Sequence, residues 1–305
     1  MELKEEVLDI NCEKVSGIIQ KFIKEKVKEL KRDGAIFGLS GGLDSTVVAT
    51  LCTYALGKDK VLGLMMPEKE GNPVALEDGE FVAKWLGIKT KVVDITPELK
   101  AMGIYDFAFS KIPTRKLREK ATHIWYKQFE KKYGENPFIY GLEGASDKLI
   151  AKGVAHFKAK HRIRMVLIYF YGESNNLLIV GAAHLSEDMI GLFSKFGIDN
   201  NADIMPLGNL YRTQTLQLAR HLGVPEKILN KPSSPDLIPG VEDKYSYLIG
   251  LPSEKVDLVL FGLEKGMSAE EIAEQAEISL SKVNYIKELI KRSFHMRHPS
   301  MTPDL

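Results

Sequence analysis

Cysteine is nearly absent from these 305 residues: only Cys12 and Cys52 occur, neither in a CxxC pair nor beside a histidine cluster. That excludes a disulfide scaffold and a cysteine-ligated zinc site, and leaves two buried thiols in a reducing compartment as the expectation. Net charge is nearly absent too, at +1, so nothing general argues for nucleic acid or a membrane surface. No apolar run approaches the length of a membrane span, and MELKEEVLDI is acidic and amphipathic, without the basic start and apolar stretch of a signal peptide. A cytoplasmic location is expected. At 44% hydrophobic and 27% charged, the chain has the composition of a globular protein, large enough for one sizeable domain with additions or for two small ones.

Apolar residues from Val7 through Ile19 and Ile23 to Leu30 recur at three and four residue intervals, which predicts one long amphipathic helix ending near Asp33-Gly34. Then AIFGLS reads as a buried strand, TVVATLCTYAL as a helix and VLGLMMP as a second strand. The alternation repeats with LEDGEFVAKWLGI and KTKVVDI, and again with the helix around RIRMVLIYFYG followed by LLIVGAAH. Such a rhythm predicts an α/β fold: a doubly wound, mostly parallel sheet with helices on both faces and ligands beyond the carboxyl ends of the strands. Between about residues 100 and 158 the rhythm is lost. Residues 111–160 hold 12 Lys and Arg against 5 Asp and Glu, which reads either as a solvated helical insertion or as a basic lid for an anionic partner. Single-domain organisation, with this basic insertion and a helical tail, is expected. The tail, MSAEEIAEQAEISLSKVNYIKELIKRSFHMRHP, has a two-helix rhythm with a turn at Glu277-Ile278-Ser279, compatible with a DNA-binding motif or with plain packing.

The chemistry concentrates in FGLSGGLDSTVV, residues 37–48. Ser40-Gly41-Gly42 lets backbone N–H groups come close to a phosphate, and the following helix adds unpaired donors and the positive end of its dipole. Hydroxyls of Ser40 and Ser45 add further donors. A Walker loop, GxxxxGK(S/T), would place a lysine here, and there is none; the GxGxxG spacing fails as well. Asp44 beside phosphates calls for a cation between them, and magnesium is the natural one.

Ser40-Gly41-Gly42-Leu43-Asp44-Ser45 resembles the SGGxDS signature of the N-type ATP pyrophosphatases. Later motifs resemble one branch, the ammonia-dependent NAD synthetases: Lys160 to Met165 is similar to KARxRM, Gly181 to Glu187 to GTxxxSE, Ser194 to Asp203 to TKYGDGGxD, Lys231 to Leu237 to KPPSADL, and His295-Met296-Arg297 to a terminal HKR. The resemblance implies an adenine nucleotide alpha hydrolase-like fold. It implies ATP contacts from Gly38, Leu39, Ser40, Gly41, Gly42, Leu43, Asp44 and Ser45, from Arg212 and from Ser234. It implies magnesium on Asp44 and Glu187, a dinucleotide side lined by Arg162, Lys195, Asp203 and His295, and catalytic roles for Asp44 and Lys195. The implied reaction converts deamido-NAD, ammonia and ATP to NAD, AMP and pyrophosphate through an acyl adenylate, in a homodimer. Cys12 and Cys52 lie within helix patterns, so neither reads as the nucleophile of a glutamine-hydrolysing domain, and free or separately supplied ammonia is the expected donor. The departures fall on the acid side: Ala182 for a threonine, Asn200-Asn201 for paired glycines, Met296 for a lysine. The same chemistry on another carboxylate, or a nucleotide-binding module without turnover, are the alternatives; small-molecule substrates are expected, and neither a membrane nor nucleic acid.

Overall fold

Four short strands organise the molecule: β1 (Gly34–Gly38), β2 (Val61–Met65), β3 (Lys89–Val92) and β4 (Leu177–Val180). The computed structural model describes residues 2–144, 146–198, 201–234, 241–298 and 302–303. The strands form one all-parallel sheet in the order β3-β2-β1-β4. Ala35 is in register with Val61 on one side and Leu178 on the other. Parallel neighbours need crossovers, and helices supply them. In chain order these are α1 (Cys12–Glu29) before β1, α2 (Leu43–Leu56), α3 (Val74–Leu86), then α4 (Thr96–Ala101), α5 (Arg115–Tyr133), α6 (Pro137–Tyr140) and α7 (Lys148–Ser174) between β3 and β4. After β4 come α8 (Leu185–Ile190), α9 (Arg212–His221), α10 (Glu226–Leu229), α11 (Lys244–Leu248), α12 (Ser253–Glu264), α13 (Ala269–Gln275) and α14 (Leu280–Arg297).

The two-residue period of the strands divides the core. Ala35, Phe37, Leu178 and Val180 pack with Ile19 and Ile23 of α1, Val47 and Leu51 of α2 and Leu218 of α9. Ile36, Leu64 and Ile179 point the other way, onto Met165 and Ile168 of α7 and Leu99 of α4. Both faces are therefore covered, which is why β1, β2 and β4 read as continuous apolar runs. Edge strand β3 is exposed along its length, and Lys89 and Lys91 discourage pairing with another chain. A further core lies under the tail, where Val256 and Leu260 of α12, Ile272 of α13 and Val283, Ile286 and Leu289 of α14 meet.

The long helix expected from Val7 to Leu30 is broken. Asn11 accepts a hydrogen bond from the Lys14 N–H at 2.9 Å and caps α1. Before it, Leu8 ends a short 3-10 segment (Glu5–Leu8), and both Leu3 and Leu8 enter the tail core instead. Periodicity continued across the cap because two separate surfaces happened to share a spacing. Helix α7 also starts earlier than RIRMVLIYFYG suggested, so position 158 falls inside it. Cys52 is buried, which pushes its thiol well above the ordinary range, whereas Cys12 is only half-buried; both are free. No helix among the described residues is long and apolar enough to cross a membrane.

Leu51 has no exposed surface and sits between α2 and the sheet. Leu51→Ala is expected to cost about 2–5 kcal/mol in urea denaturation.

Candidate active site

Strand order sets the location. The chain leaves β1 for β2 on one side, and β4 returns to the other, so the crevice beyond the carboxyl ends of β1 and β4 is the switch point of the sheet. The segment after β1 is the glycine-rich loop. Gly41 has φ +69°, and a Cβ on it would lie 2.5 Å from Asp78 Cβ and 2.6 Å from the Gly79 nitrogen, so no side chain fits. Ser40 and Ser45 hydroxyls lie 3.1 Å apart, and the Thr46 N–H donates to the Gly42 carbonyl at 3.1 Å at the start of α2. The first-turn N–H groups of a helix have no intrahelical acceptor, and here Asp44 and Ser45 of that turn border the crevice with Ser40 and Gly42.

The lysine missing from this loop in sequence arrives from elsewhere. Lys231 Nζ donates to the Gly41 carbonyl at 2.8 Å and to Asp78 Oδ2 at 2.7 Å, while Lys227 reaches Asp78 Oδ1 at 2.5 Å. Burial would raise the Asp78 carboxyl, but the two ammonium groups hold it below its usual range. Sequence reading quoted Lys231 only as the first letter of a motif; a positive charge close to a proline-serine loop was the available signal.

Asp44 and Glu187 meet here because β1 and β4 are neighbours. With His184 they offer ligand atoms all within 4.8 Å of one another. Arg212, first residue of α9, places Nη1 2.5 Å from Asp44 Oδ1. Burial opposes ionisation of Asp44, yet Arg212, with His184 and Lys244, keeps the carboxyl below its ordinary value. Glu187 bonds Lys244 from α11. His184 is fully buried, its Nδ1 has no hydrogen-bond partner, and burial pulls its pKa below the ordinary histidine value against Glu187 and Asp44. Two carboxylates and an imidazole form a donor set that fits a hard divalent cation, and Arg212 and Lys244 pair with the carboxylates. Asp257 fixes this corner: its oxygens accept from the Ser186 hydroxyl at 2.6 Å and the Thr213 N–H at 2.7 Å, joining α8, α9 and α12.

Gly38, Leu39, Ser40, Gly42, Asp44 and Ser45 of the loop border one cavity of about 590 Å³ with Glu187 and Ser234, and Arg212 reaches it through Asp44. The residues expected on the dinucleotide side form a separate group. Arg162 donates to the Lys195 carbonyl at 3.2 Å, and Lys195 Nζ donates to the His295 carbonyl at 3.0 Å. Asp203 stands apart, accepting the Ile179 N–H at 3.0 Å on the edge of β4. None of these four borders the cavity. Ala182 and buried Met296 do. Asn200, Pro235, Asp236 and Leu237 lie outside the described residues.

The cavity wall near β2 holds a charge cluster that sequence reading missed. Lys160, 1% exposed, bridges Glu68 Oε1 at 2.9 Å and Glu70 Oε2 at 2.7 Å. Tyr105 donates to Glu68 at 2.7 Å, and His156 lies 3.1 Å from Glu70. Burial would raise the Glu70 carboxyl, but His156 and Lys160 hold it far below its usual value. Lys160→Ala would strand two buried carboxylates, at an expected cost of about 3–5 kcal/mol at neutral pH. The depressed carboxyl stabilises the native protein above the ordinary glutamate pKa and loses that contribution on acidification, whereas the stranded carboxylates of the variant protonate readily. The gap between the two proteins should therefore narrow in denaturation curves below about pH 4.

The sequence pattern of the family described as NAD synthase matches residues 15–119 and 136–300. An NH(3)-dependent NAD(+) synthetase of Methanocaldococcus jannaschii is 39% identical over 97% of this chain and 98% of its own length. One from Coprothermobacter proteolyticus is 35% identical over 92% of this chain and 96% of its own. Among solved structures, an NH3-dependent NAD synthetase from Campylobacter jejuni superposes with a TM-score of 0.66 at 25% identity, covering 97% of this chain and 100% of that one. An NMN synthetase from Francisella tularensis has the same fold, with a TM-score of 0.69 at 24% identity over 97% of this chain and 100% of its own. The cradle at the β1/β4 switch point and the match along almost the whole chain agree, and the chain belongs to the NAD synthase family.

Proposed function

We propose that this protein is an ATP-dependent, amide-forming ligase that converts deamido-NAD and ammonia to NAD, releasing AMP and pyrophosphate. The observation that carries the mechanism is the convergence of Asp44 and Glu187 on the phosphate loop. A carboxylate oxygen of the acid attacks the α phosphorus of ATP, the bond to the β-phosphate bridging oxygen breaks, and pyrophosphate leaves. Ammonia then attacks the acyl carbon, the bond to AMP breaks, and the nitrogen sheds a proton.

The protein's part is alignment and charge compensation. Backbone N–H groups from Gly38 to Ser45, with the Ser40 and Ser45 hydroxyls, hold the β and γ phosphates, and Ser234 closes over them. Lys231, already bonded to Gly41, adds positive charge beside the leaving pyrophosphate. Magnesium on Asp44 and Glu187 would neutralise the triphosphate when bound. Arg212 and Lys244, which pair with those carboxylates, would supply positive charge to phosphate oxygens beside them. Lys195 stabilises charge on the acid side, in line with its link from Arg162 to His295, and Asp203 contributes to the same side. A domain of residues 1–305 with a basic helical excursion, working in the cytoplasm as a homodimer on free or separately supplied ammonia, completes the proposal. Val166 and Phe170, one turn apart on α7 and 63% and 60% exposed, are the apolar surface that supports a dimer. A second acid remains the competing substrate, favoured by buried Met296 where a lysine would reach the ligand.

Purified protein incubated with ATP, magnesium, ammonium and deamido-NAD should yield AMP, pyrophosphate and NAD in equal amounts. AMP released only with some other acid would replace the substrate; none with any acid would remove the enzyme. Chelation should stop turnover and added magnesium restore it. Asp44→Asn is expected to lower kcat about 100-fold or more with the thermal melt little changed. Phe170→Glu should shift sedimentation from dimer to monomer.

A further inference from the structure

Asp78 has no part in the reaction steps above, yet it is a carboxylate only 4% exposed, directly behind the phosphate loop. It does not border the cavity, whereas Lys231 does. The helix that carries it has little freedom: a Cβ on Gly79 would lie 2.8 Å from Met65 Sδ and 3.2 Å from the Leu39 carbonyl oxygen, so this turn of α3 rests on the carboxyl ends of β1 and β2. Each oxygen of the carboxylate takes one ammonium. Oδ1 accepts from Lys227 at 2.5 Å and Oδ2 from Lys231 at 2.7 Å. The Lys227 side chain is 53% exposed, but its Nζ also lies 5.1 Å from the centre of the Phe81 ring, one turn further along α3. A surface lysine with two specific partners on one helix has a set position.

An ammonium has three donors. Lys231 spends one on Asp78 and one on the Gly41 carbonyl at 2.8 Å, which leaves a third for the cavity that the residue itself borders. Like charges side by side repel, and the carboxylate between them is what allows two ammonium groups to stand behind one loop. Their sum matters as well. One lysine and one aspartate form a neutral pair with little attraction for a polyanion; the second lysine leaves the set at +1. The segment that carries Lys231 continues to Ser233, whose carbonyl accepts the Lys244 N–H at 2.9 Å, so its two ends are tied to the phosphate loop and to the partner of Glu187. We propose that Asp78 is a positioning residue for the departure of pyrophosphate: it holds Lys231 against the phosphate loop with one donor left for the leaving group, while Lys227 supplies the charge that Asp78 cancels. In that step the bond from the α phosphorus to the bridging oxygen breaks with its electron pair on pyrophosphate, and Lys231 stabilises the added charge without losing a proton. The inference rests on the adenylation reaction proposed above, though not on which acid is adenylated.

The test uses full-length protein and a pair of readouts: kcat with ATP, magnesium, ammonium and deamido-NAD, and the Kd of magnesium pyrophosphate by calorimetry, which needs no acid. Asp78→Asn, nearly isosteric, should lower kcat and weaken pyrophosphate by about tenfold each. KM for ATP should change less, because the added charge appears only as the bond breaks. Lys231→Gln should do the same, and Asp78→Asn combined with Lys231→Gln should be no worse than Lys231→Gln alone, since Asp78 acts through that lysine. Lys227→Gln, at an exposed position, should lower kcat and pyrophosphate affinity about threefold, and Lys227→Arg should restore both. Additive losses in the double variant overturn the inference. So does a folded Asp78→Asn protein with both readouts unmoved, whatever its thermal melt, which would make Asp78 an anchor of α3 alone. Where Asp78→Asn does not fold, Lys227→Gln decides, and an unchanged pyrophosphate Kd in that variant is the overturning result. Failure of the wild type to release AMP with deamido-NAD defeats the proposed substrate instead, and the pyrophosphate titration still decides the role of Asp78.

Discussion

Pairing of β1 with β4 is the contact on which the site depends. It joins residues 34–37 to residues 177–180 across more than a hundred intervening positions, which makes it slow to find and costly in chain entropy. That cost is offset by burial on both faces, with Phe37 and Val180 on one side and Ile36 and Ile179 on the other. Because β2 already occupies the opposite edge of β1, β4 opens a crevice at the strand ends. Asp44 and Glu187 enter it from the first turns of α2 and α8, which are remote in sequence and adjacent in space. Without the pairing, each is an ordinary acid near a helix start.

Paired charges line the crevice. Asp44 with Arg212, Glu187 with Lys244 and Asp78 with Lys231 and Lys227 place acids and bases in matched sets. Such pairs do little for net stability, because desolvation consumes most of the Coulomb energy, but they fix the positions of the groups. A ligand that brings complementary charges can exchange partners with such sets, leaving no buried group uncompensated. Asp257 holds the frame: by bonding α8 and the start of α9 together it fixes where Arg212 begins.

The segment between β3 and β4 gives the cavity its second character. Glu68 and Glu70, on the segment after β2, are anchored to α7 by Lys160, so the phosphate end and the aromatic end are braced against each other. Trp125 and Tyr126 then stand over the space that the sheet leaves open. A loop-and-helix excursion on a covered parallel sheet is a physically inexpensive way to reshape a cavity, since the sheet core remains as it was.

Much of this was written locally. Continuous apolar runs marked the strands, glycine and serine spacing marked the loop, and the order of motifs marked the family, because each depends on residues close together in the chain. Even the identity of Asp44 and Glu187 as a pair was legible through motif resemblance. The breaking of the first helix at Asn11 was not, since Leu3 and Leu8 are claimed by a core built from α12 and α13. Nor was the delivery of Lys231 to a loop that lacks lysine, the bridging of Glu68 and Glu70 by Lys160, or the separation of Arg162, Lys195 and His295 from the cavity. Local sequence fixes backbone conformation and the kind of side chain on offer; which charges meet is decided only when distant segments pack, because a Coulomb contact depends on distance in space and not on distance along the chain.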